Sequence, residues 1–387
     1  MPVALLLAAF AVAPPEGLSE PEAAAAAGAA WEELVAERDA VLLAEREAKA
    51  IAAGGETLKF LERRFGEKPR AGHALFISLH GGGGGPAAMN DGQWRNQIRL
   101  YEPQEGVVVA PRAPGNTWDL WHRPHIDPLL DRLILSYLVD GTVDPNRVYL
   151  MGYSAGGDGV FQLAPRMADR FAAASMMAGH PNETRPDGLR NLPFSLWMGG
   201  KDAAYDRNKI AGQWKDQLAA LHRRDPGGYE HNVVIYPDSG HWMNGRDRAA
   251  LPWMARFERD PWPNKVVWLQ DDVTHPRFYW LEVPADQAVQ GTKIVADVAG
   301  QRIDLTVPAD AVREVTLHLS DALVNLDRPV VVAINGAVVH EGIVPRTAEA
   351  VAASLASRPD PAAVATATLT LPVPAAPVPP TDPEPAE

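Results

Sequence analysis

The 387-residue sequence contains no cysteine, which removes disulfide staples, thiolate metal sites and a cysteine nucleophile together. Covalent chemistry is left to serine, threonine, lysine or a carboxylate. Basic charge is also scarce. Lys and Arg number 36 against 49 Asp and Glu, a formal charge of -13, and no basic patch stands out, so nucleic acid is not expected as a partner. No apolar run is long enough to span a membrane. What is plentiful is core material: 46% of residues are hydrophobic, enough for one large domain with one or two smaller additions.

The N-terminal apolar run at residues 3–13 ends in Ala11-Val12-Ala13 and has the length and small-residue close of a secretory signal, without the usual Lys or Arg ahead of it. Read as a signal over residues 1–13, it predicts a secreted or periplasmic protein; the alternative is an apolar helix start. An Ala-, Glu-, Leu- and Arg-rich stretch predicts one long N-terminal helix within residues 14–55, running from 19 to about 53 and stopped by Gly54-Gly55. Short apolar runs then alternate with helical stretches over residues 56–262, the rhythm of an α/β fold with a mostly parallel sheet covered by helices on both faces. The predicted strands are 74–79, 106–110, 147–151, 172–177, 194–198 and 232–236. From 263 to 345 the pattern changes to alternating β-branched and aromatic runs, at 278–283, 293–298, 302–307, 312–319 and 330–339, which predict an all-β sandwich-like module. Asn335-Gly336 inside the last of these favours a tight hairpin turn. Residues 346–371 supply a helix at 347–357 and a final strand at 365–371, and the Pro/Ala-rich tail at 372–387 is not expected to pack.

Gly152-Tyr153-Ser154-Ala155-Gly156 follows the predicted strand 147–151 and fits the G-x-S-x-G turn that exposes a nucleophilic serine between strand and helix. Upstream, His80 and the five glycines 81–85 follow the strand 74–79. A glycine loop there can aim backbone amides at a developing oxyanion; Gly82, Gly83 and Ala155 are the expected donors. The competing reading, a phosphate-cradling loop, would want a Lys after the glycines, and none follows.

A serine needs a base to take its proton and a third group to fix the base. Asp202 follows the strand 194–198, and His241 follows the strand 232–236, so the chain order is Ser, Asp, His. Asp202 could instead cap the helix starting near Asp206, which is itself the competing acid. The loop Trp118-Asp119-Leu120-Trp121-His122 follows the strand 106–110, where a substrate wall belongs. Trp118, Trp121, His122, His180 and Trp242 are the expected substrate contacts, with packing as the alternative for each. His122, His125 and Asp127 could also be read as metal ligands, but they lack a fourth partner, and neither a metal nor a cofactor is expected.

On these motifs, residues 57–261 resemble the α/β-hydrolase superfamily, and within it bacterial poly(3-hydroxybutyrate) depolymerase-like and feruloyl-esterase-like serine esterases. Relatives of that kind usually carry cysteines near the site, and this chain has none. The module after residue 263 resembles an accessory immunoglobulin-like sandwich. The resemblance implies cleavage of a small-molecule or polymeric carboxylic ester through an acyl-enzyme on Ser154. Two alternatives stay open: an exported serine peptidase with the same three residues, or a catalytically silent binding protein on the same fold.

Overall fold

The structure, a computed structural model, describes residues 17–375. The apolar run at 3–13 and the tail beyond 375 lie outside the described residues. Helix α1 (Glu20–Glu47) opens with a capping box in which Ser19 accepts from the Glu22 amide and Glu22 accepts from the Ser19 amide at 2.8 Å. It ends sooner than the sequence suggests. Lys49 takes a φ of 55°, and residues 50–53 form β1 (Ala50–Ala53), paired antiparallel with β2 (Glu56–Phe65) across the glycine turn. Pairing Ile51 with Leu58 buries both side chains fully, which outweighs the helix preference of a few alanines.

There follow β3 (His73–Leu79), α2 (Ala87–Gln97), β4 (Gly106–Arg112), α3 (Ile126–Leu138), β5 (Val143–Tyr153), α4 (Ala155–Arg166) and β6 (Ala173–Met177). Then come β7 (Phe194–Gly199), α5 (Arg207–Arg224), β8 (His231–Tyr236) and α6 (Ala250–Met254). The strands form one sheet in the order β1-β2-β4-β3-β5-β6-β7-β8, antiparallel at β1/β2 and β2/β4 and parallel elsewhere. Alternate residues enter two separate cores: Leu75, Ile77 and Leu150 pack with α3, α4 and α5 side chains, whereas Phe76, Tyr149 and Met151 pack with α6 and with Trp94 of α2. Helices therefore cover both faces, and every residue of β3, β4, β6 and β7 is buried. This is the α/β-hydrolase fold. From β3 the chain crosses to β4 on one side, and β5 lies on the other, so the loops after β3 and β5 flank the reversal of strand order where ligands bind in open α/β sheets.

The C-terminal part comprises β9 (Lys265–Leu269), β10 (Arg277–Phe278), β11 (Leu281–Glu282), β12 (Lys293–Ala299), β13 (Arg302–Thr306), β14 (Glu314–Leu319), β15 (Val330–Ile334), β16 (Ala337–Gly342), α7 (Ala348–Ser357) and β17 (Ala367–Pro372). They build a four-stranded sheet, β10-β11-β14-β17, and a five-stranded sheet, β16-β15-β13-β12-β9. Inward residues of both, such as Ile294 and Ala296 of β12 and Val315 and Leu317 of β14, share one buried cluster, as in a sandwich. Asn335 and Gly336 have φ of 52° and 85°, the signs a two-residue hairpin turn requires. Residues 278–283 are not one strand. Tyr279 turns with φ 52° and Phe278 pairs back onto Leu281, because a continuous strand would send one of the adjacent Tyr279 and Trp280 outward, whereas both are buried here. The two parts are joined by polar contacts, including a hydrogen bond between His275 and Asp127 and an ion pair between Lys293 and Asp187, each at 2.7 Å. Among the described residues, no helix is long and apolar enough to cross a membrane.

Candidate active site

Between the end of β5 and the start of α4, Ser154 stands alone at the turn with φ 59° and ψ -122°, a strained conformation for a residue with a side chain. A Cβ on Gly152 would lie 2.2 Å from the Gly156 carbonyl oxygen, and one on Gly156 would lie 2.1 Å from that of Leu79. Only glycine fits at either position. The turn leaves the Ser154 hydroxyl at the N-terminal end of α4, where the helix dipole favours negative charge.

The loop after β8 carries His241 to this hydroxyl: Nε2 lies 3.0 Å from Ser154 Oγ, and Nδ1 lies 2.7 Å from Oδ2 of Asp202 on the loop after β7. A carboxylate only accepts, so Nδ1 carries the proton and Nε2 accepts from the serine. The Asp202 side chain is 3% exposed and that of His241 43%, so a buried acid orients a base that faces open solvent. Asp206, the competing acid, is 61% exposed and paired with Lys209 instead. The Tyr153 hydroxyl donates to the His241 carbonyl at 2.6 Å and fixes the main chain of the base loop.

The glycine loop divides its amides. Gly83 N–H donates to Asn90 Oδ1 at 2.9 Å and is therefore engaged, which corrects the expectation for Gly83. Among the described residues, the amides of Gly82 and Ala155 have no acceptor. A Cβ on Gly81 would sit 3.1 Å from Ser154 Cβ, so the loop passes directly over the serine. His80, fully buried, donates from Nδ1 to the Gly81 carbonyl at 2.6 Å and accepts the Ala113 amide at Nε2 at 3.2 Å. Burial holds its pKa down to about 4, so the ring stays neutral in this role. With the Gly81 carbonyl turned to His80, the trans peptide points the Gly82 N–H the opposite way.

The expected substrate contacts separate into two groups. Trp118, 63% exposed, lies against Gly83 and Gly84, and Trp242, 49% exposed, packs on Tyr153 beside the base. Trp121 is fully buried with its Nε1 donating to the His80 carbonyl at 3.0 Å, so it supports the glycine loop rather than lining a pocket. His122 is also buried, edge-on to Trp118. It lines a separate cleft with Asp119 and Asp272, a correction to its expected place. His180 is half-buried, and its amide donates to Asp158 Oδ1 at 2.6 Å.

Asp158, on the first turn of α4, escaped the sequence reading. Burial pushes its carboxyl up to about 6, against the opposing pull of the His180 amide, Arg207 and His241. Tyr153, His80 and Asn90 were also passed over as supports; the first two sit inside the quoted motifs, but nothing in the sequence ties Asn90 to Gly83. As for metal ligands, both oxygens of Asp127 are engaged, by Arg166 at 2.6 Å and by His275. Glu183, Asp271 and Asp272 do bring carboxylate oxygens within 4.8 Å of one another, with Arg166 at 3.9 Å from Asp272.

No family model matches the chain. Over 167 residues it is 30% identical to a protein of Nocardia uniformis subsp. tsuyamanensis that bears an esterase name, NocK, a match covering 39% of this chain and 48% of that one. It is 26% identical to the poly(3-hydroxybutyrate) depolymerase of Ralstonia pickettii, over 39% of this chain and 35% of that one. To feruloyl esterase B of Thermothelomyces thermophilus it is 28% identical, over 37% of this chain and 50% of that one. The chain thus spans half or less of the length of these relatives. A solved thermostable esterase aligns with a TM-score of 0.41 at 18% identity, covering 54% of this chain and 62% of that one. The chain has the α/β-hydrolase fold and, over about two-fifths of its length, is similar in sequence to proteins named as esterases.

Proposed function

We propose that this chain hydrolyses carboxylic esters through an acyl-enzyme on Ser154. The observation that carries the reading is the continuous hydrogen-bonded line from Asp202 through His241 to Ser154, ending beside the two amides of Gly82 and Ala155. Ser154 Oγ attacks the ester carbonyl as its proton passes to His241 Nε2, and the carbonyl oxygen becomes an oxyanion held by those amides. His241 then returns the proton to the departing alcohol. Water attacks the acyl-serine by the same route in reverse and releases the acid. No cofactor enters the sequence of steps.

The exposed rings of Trp118 and Trp242 flank this line from the oxyanion side and the base side, and they suit an apolar acyl or alcohol group lying across an open surface. Export to the periplasm or medium belongs to the same reading and rests on the apolar run at 3–13. A panel of p-nitrophenyl esters of rising chain length, beside matched anilides, tests it. Saturable ester turnover with anilides at least about a hundredfold slower supports ester chemistry, and equal turnover of both classes would move the assignment to a peptidase.

A further inference from the structure

Asp202 faces a cation as well as the base. Its Oδ2 holds His241, and its Oδ1 lies 3.8 Å from Nη1 of Arg207, the first residue of α5. Both side chains are withdrawn from solvent, Asp202 at 3% exposed and Arg207 at 12%. Among the described residues, Asp202 is the one carboxylate within ion-pair distance of Arg207. The guanidinium carbon also lies 4.9 Å from the centre of the Tyr205 ring.

Arg207 reaches this place through a strained turn. Tyr205 and Asp206 both take a φ of 56°, and among the described residues they are the only adjacent non-glycine pair in the left-handed region. Strain of this kind persists where the surroundings over-determine it, and it collects at functional sites. Here the start of α5 is tied to the acid loop: the Asn208 amide donates to the Asp202 carbonyl at 3.0 Å, and Asn208 Nδ2 donates to the Gly200 carbonyl at 2.8 Å. Asp206 is paired with Lys209 at 2.7 Å, so it does not take up the charge of its neighbour Arg207.

The charged and titratable groups that face His241 or its acid come from four elements: Tyr153 at the end of β5, Asp158 on α4, Asp202 on the loop after β7 and Arg207 on α5. Their signs differ. Asp202 and an ionised Asp158 favour the imidazolium form of His241, Tyr153 is neutral, and Arg207 alone opposes it. A charge a few ångströms away in a partly buried site is felt far more than in bulk water.

From this arrangement we infer that Arg207 is a positioning residue of the Ser154 line: it acts through Asp202, steadying the carboxylate at Oδ1 and offsetting its charge, so that His241 remains a proton acceptor at lower pH than Asp202 alone would allow. The consequence for turnover rests on the ester-hydrolase reading. The coupling between Arg207 and His241 does not.

The pH dependence of kcat/KM for p-nitrophenyl butyrate tests this in the full chain. Arg207→Gln and Arg207→Met both remove the charge, and in each the acid limb should move up by about half a pH unit, a roughly threefold loss of relative turnover on the acid side. Arg207→Lys keeps the charge and should hold the limb within about 0.2 unit. The shift should persist when Asp158→Asn is added, which removes the other acid beside His241. In parallel, ring-¹⁵N histidine spectra, with His241→Gln to assign the signal, read the His241 midpoint without turnover and should show the same displacement. A displaced ring midpoint in a chain that turns over no ester would support the coupling and defeat the ester reading. An unmoved limb and ring midpoint in both neutral variants, or an equal shift in Arg207→Lys, would overturn the inference.

Discussion

His80 Nδ1 lies 2.6 Å from the carbonyl oxygen of Gly81, a buried bond to the peptide group that also carries the Gly82 amide. Because the ring also accepts the Ala113 amide, its tautomer is fixed, and the glycine loop is held by a neutral imidazole rather than by its own flexible backbone. His80→Leu should therefore lower kcat about 10- to 100-fold while leaving KM within about threefold, since the loss falls on a donor that acts in the transition state. A loss confined to KM would place His80 in substrate binding instead.

The same residue makes a prediction about acid. An imidazole held to about 4 in the fold but titrating near 6.5 when unfolded gives stability that is complete above pH 6.5 and lost as pH falls through 6.5 to 4. The window is worth on the order of 3 kcal/mol. Chemical denaturation from pH 7 to 4 should show a shallower acid decline in His80→Leu than in the unaltered chain, and parallel curves would contradict the burial argument.

For the third member of the line, the choice lies between Asp202 and Asp206. Asp202→Asn should reduce ester turnover by about 10⁴-fold through the wrong His241 tautomer, whereas Asp206→Asn, which removes only an exposed pair to Lys209, should stay within about twofold. Comparable losses in both would reopen the assignment.

Asp158 carries the opposite sign to His80. Its carboxyl, raised by burial to about 6, is easier to protonate in the fold than in the unfolded chain, so its contribution is favourable below pH 3.8 and lost as pH rises through 6. Asp158→Asn keeps an oxygen for the His180 amide and drops the charge. It should be more stable than the unaltered chain at pH 7 by on the order of 1–3 kcal/mol, a gap that closes near pH 4. A gap independent of pH would mean that packing, not charge, sets the difference.

Much of the candidate site was legible because it is written locally. The glycines at 152 and 156 are demanded by contacts with backbone a few residues away or one strand over, so the pentapeptide is its own signature. Asp202 and His241 follow strands whose buried runs announce themselves, and chain order does the rest. What stayed hidden depends on distant partners. Trp121 looks like a rim residue until the His80 carbonyl is found beneath its indole, and Gly83 looks like a free donor until Asn90 is found above it. The strand at 50–53 failed for the same reason: its alanines favour helix, and only the pairing of Ile51 with Leu58 decides otherwise. His122 and Asp127 are neighbours in sequence, yet Asp127 turns to Arg166 and to His275 of the other part.

That last contact has a cost when broken. Asp127 is buried between Arg166 and His275, and Asp127→Asn would leave the buried guanidinium of Arg166 with only Asp272, 3.9 Å away, as counter-charge. Urea unfolding should show a loss of about 3–5 kcal/mol, while Ser154 in the protein still folded at low temperature keeps its reactivity. A loss below about 1 kcal/mol would show that the pair does not clamp the two parts together.

Whether His241 and Asp202 make Ser154 a nucleophile is read by labelling the full chain with a fluorophosphonate probe, with Ser154→Ala alongside. Labelling is expected to be stoichiometric and time-dependent, to map to Ser154, and to disappear in Ser154→Ala at an unchanged melting temperature. Well-folded protein that takes no label, or label that persists in Ser154→Ala, would contradict the assignment of Ser154 as nucleophile.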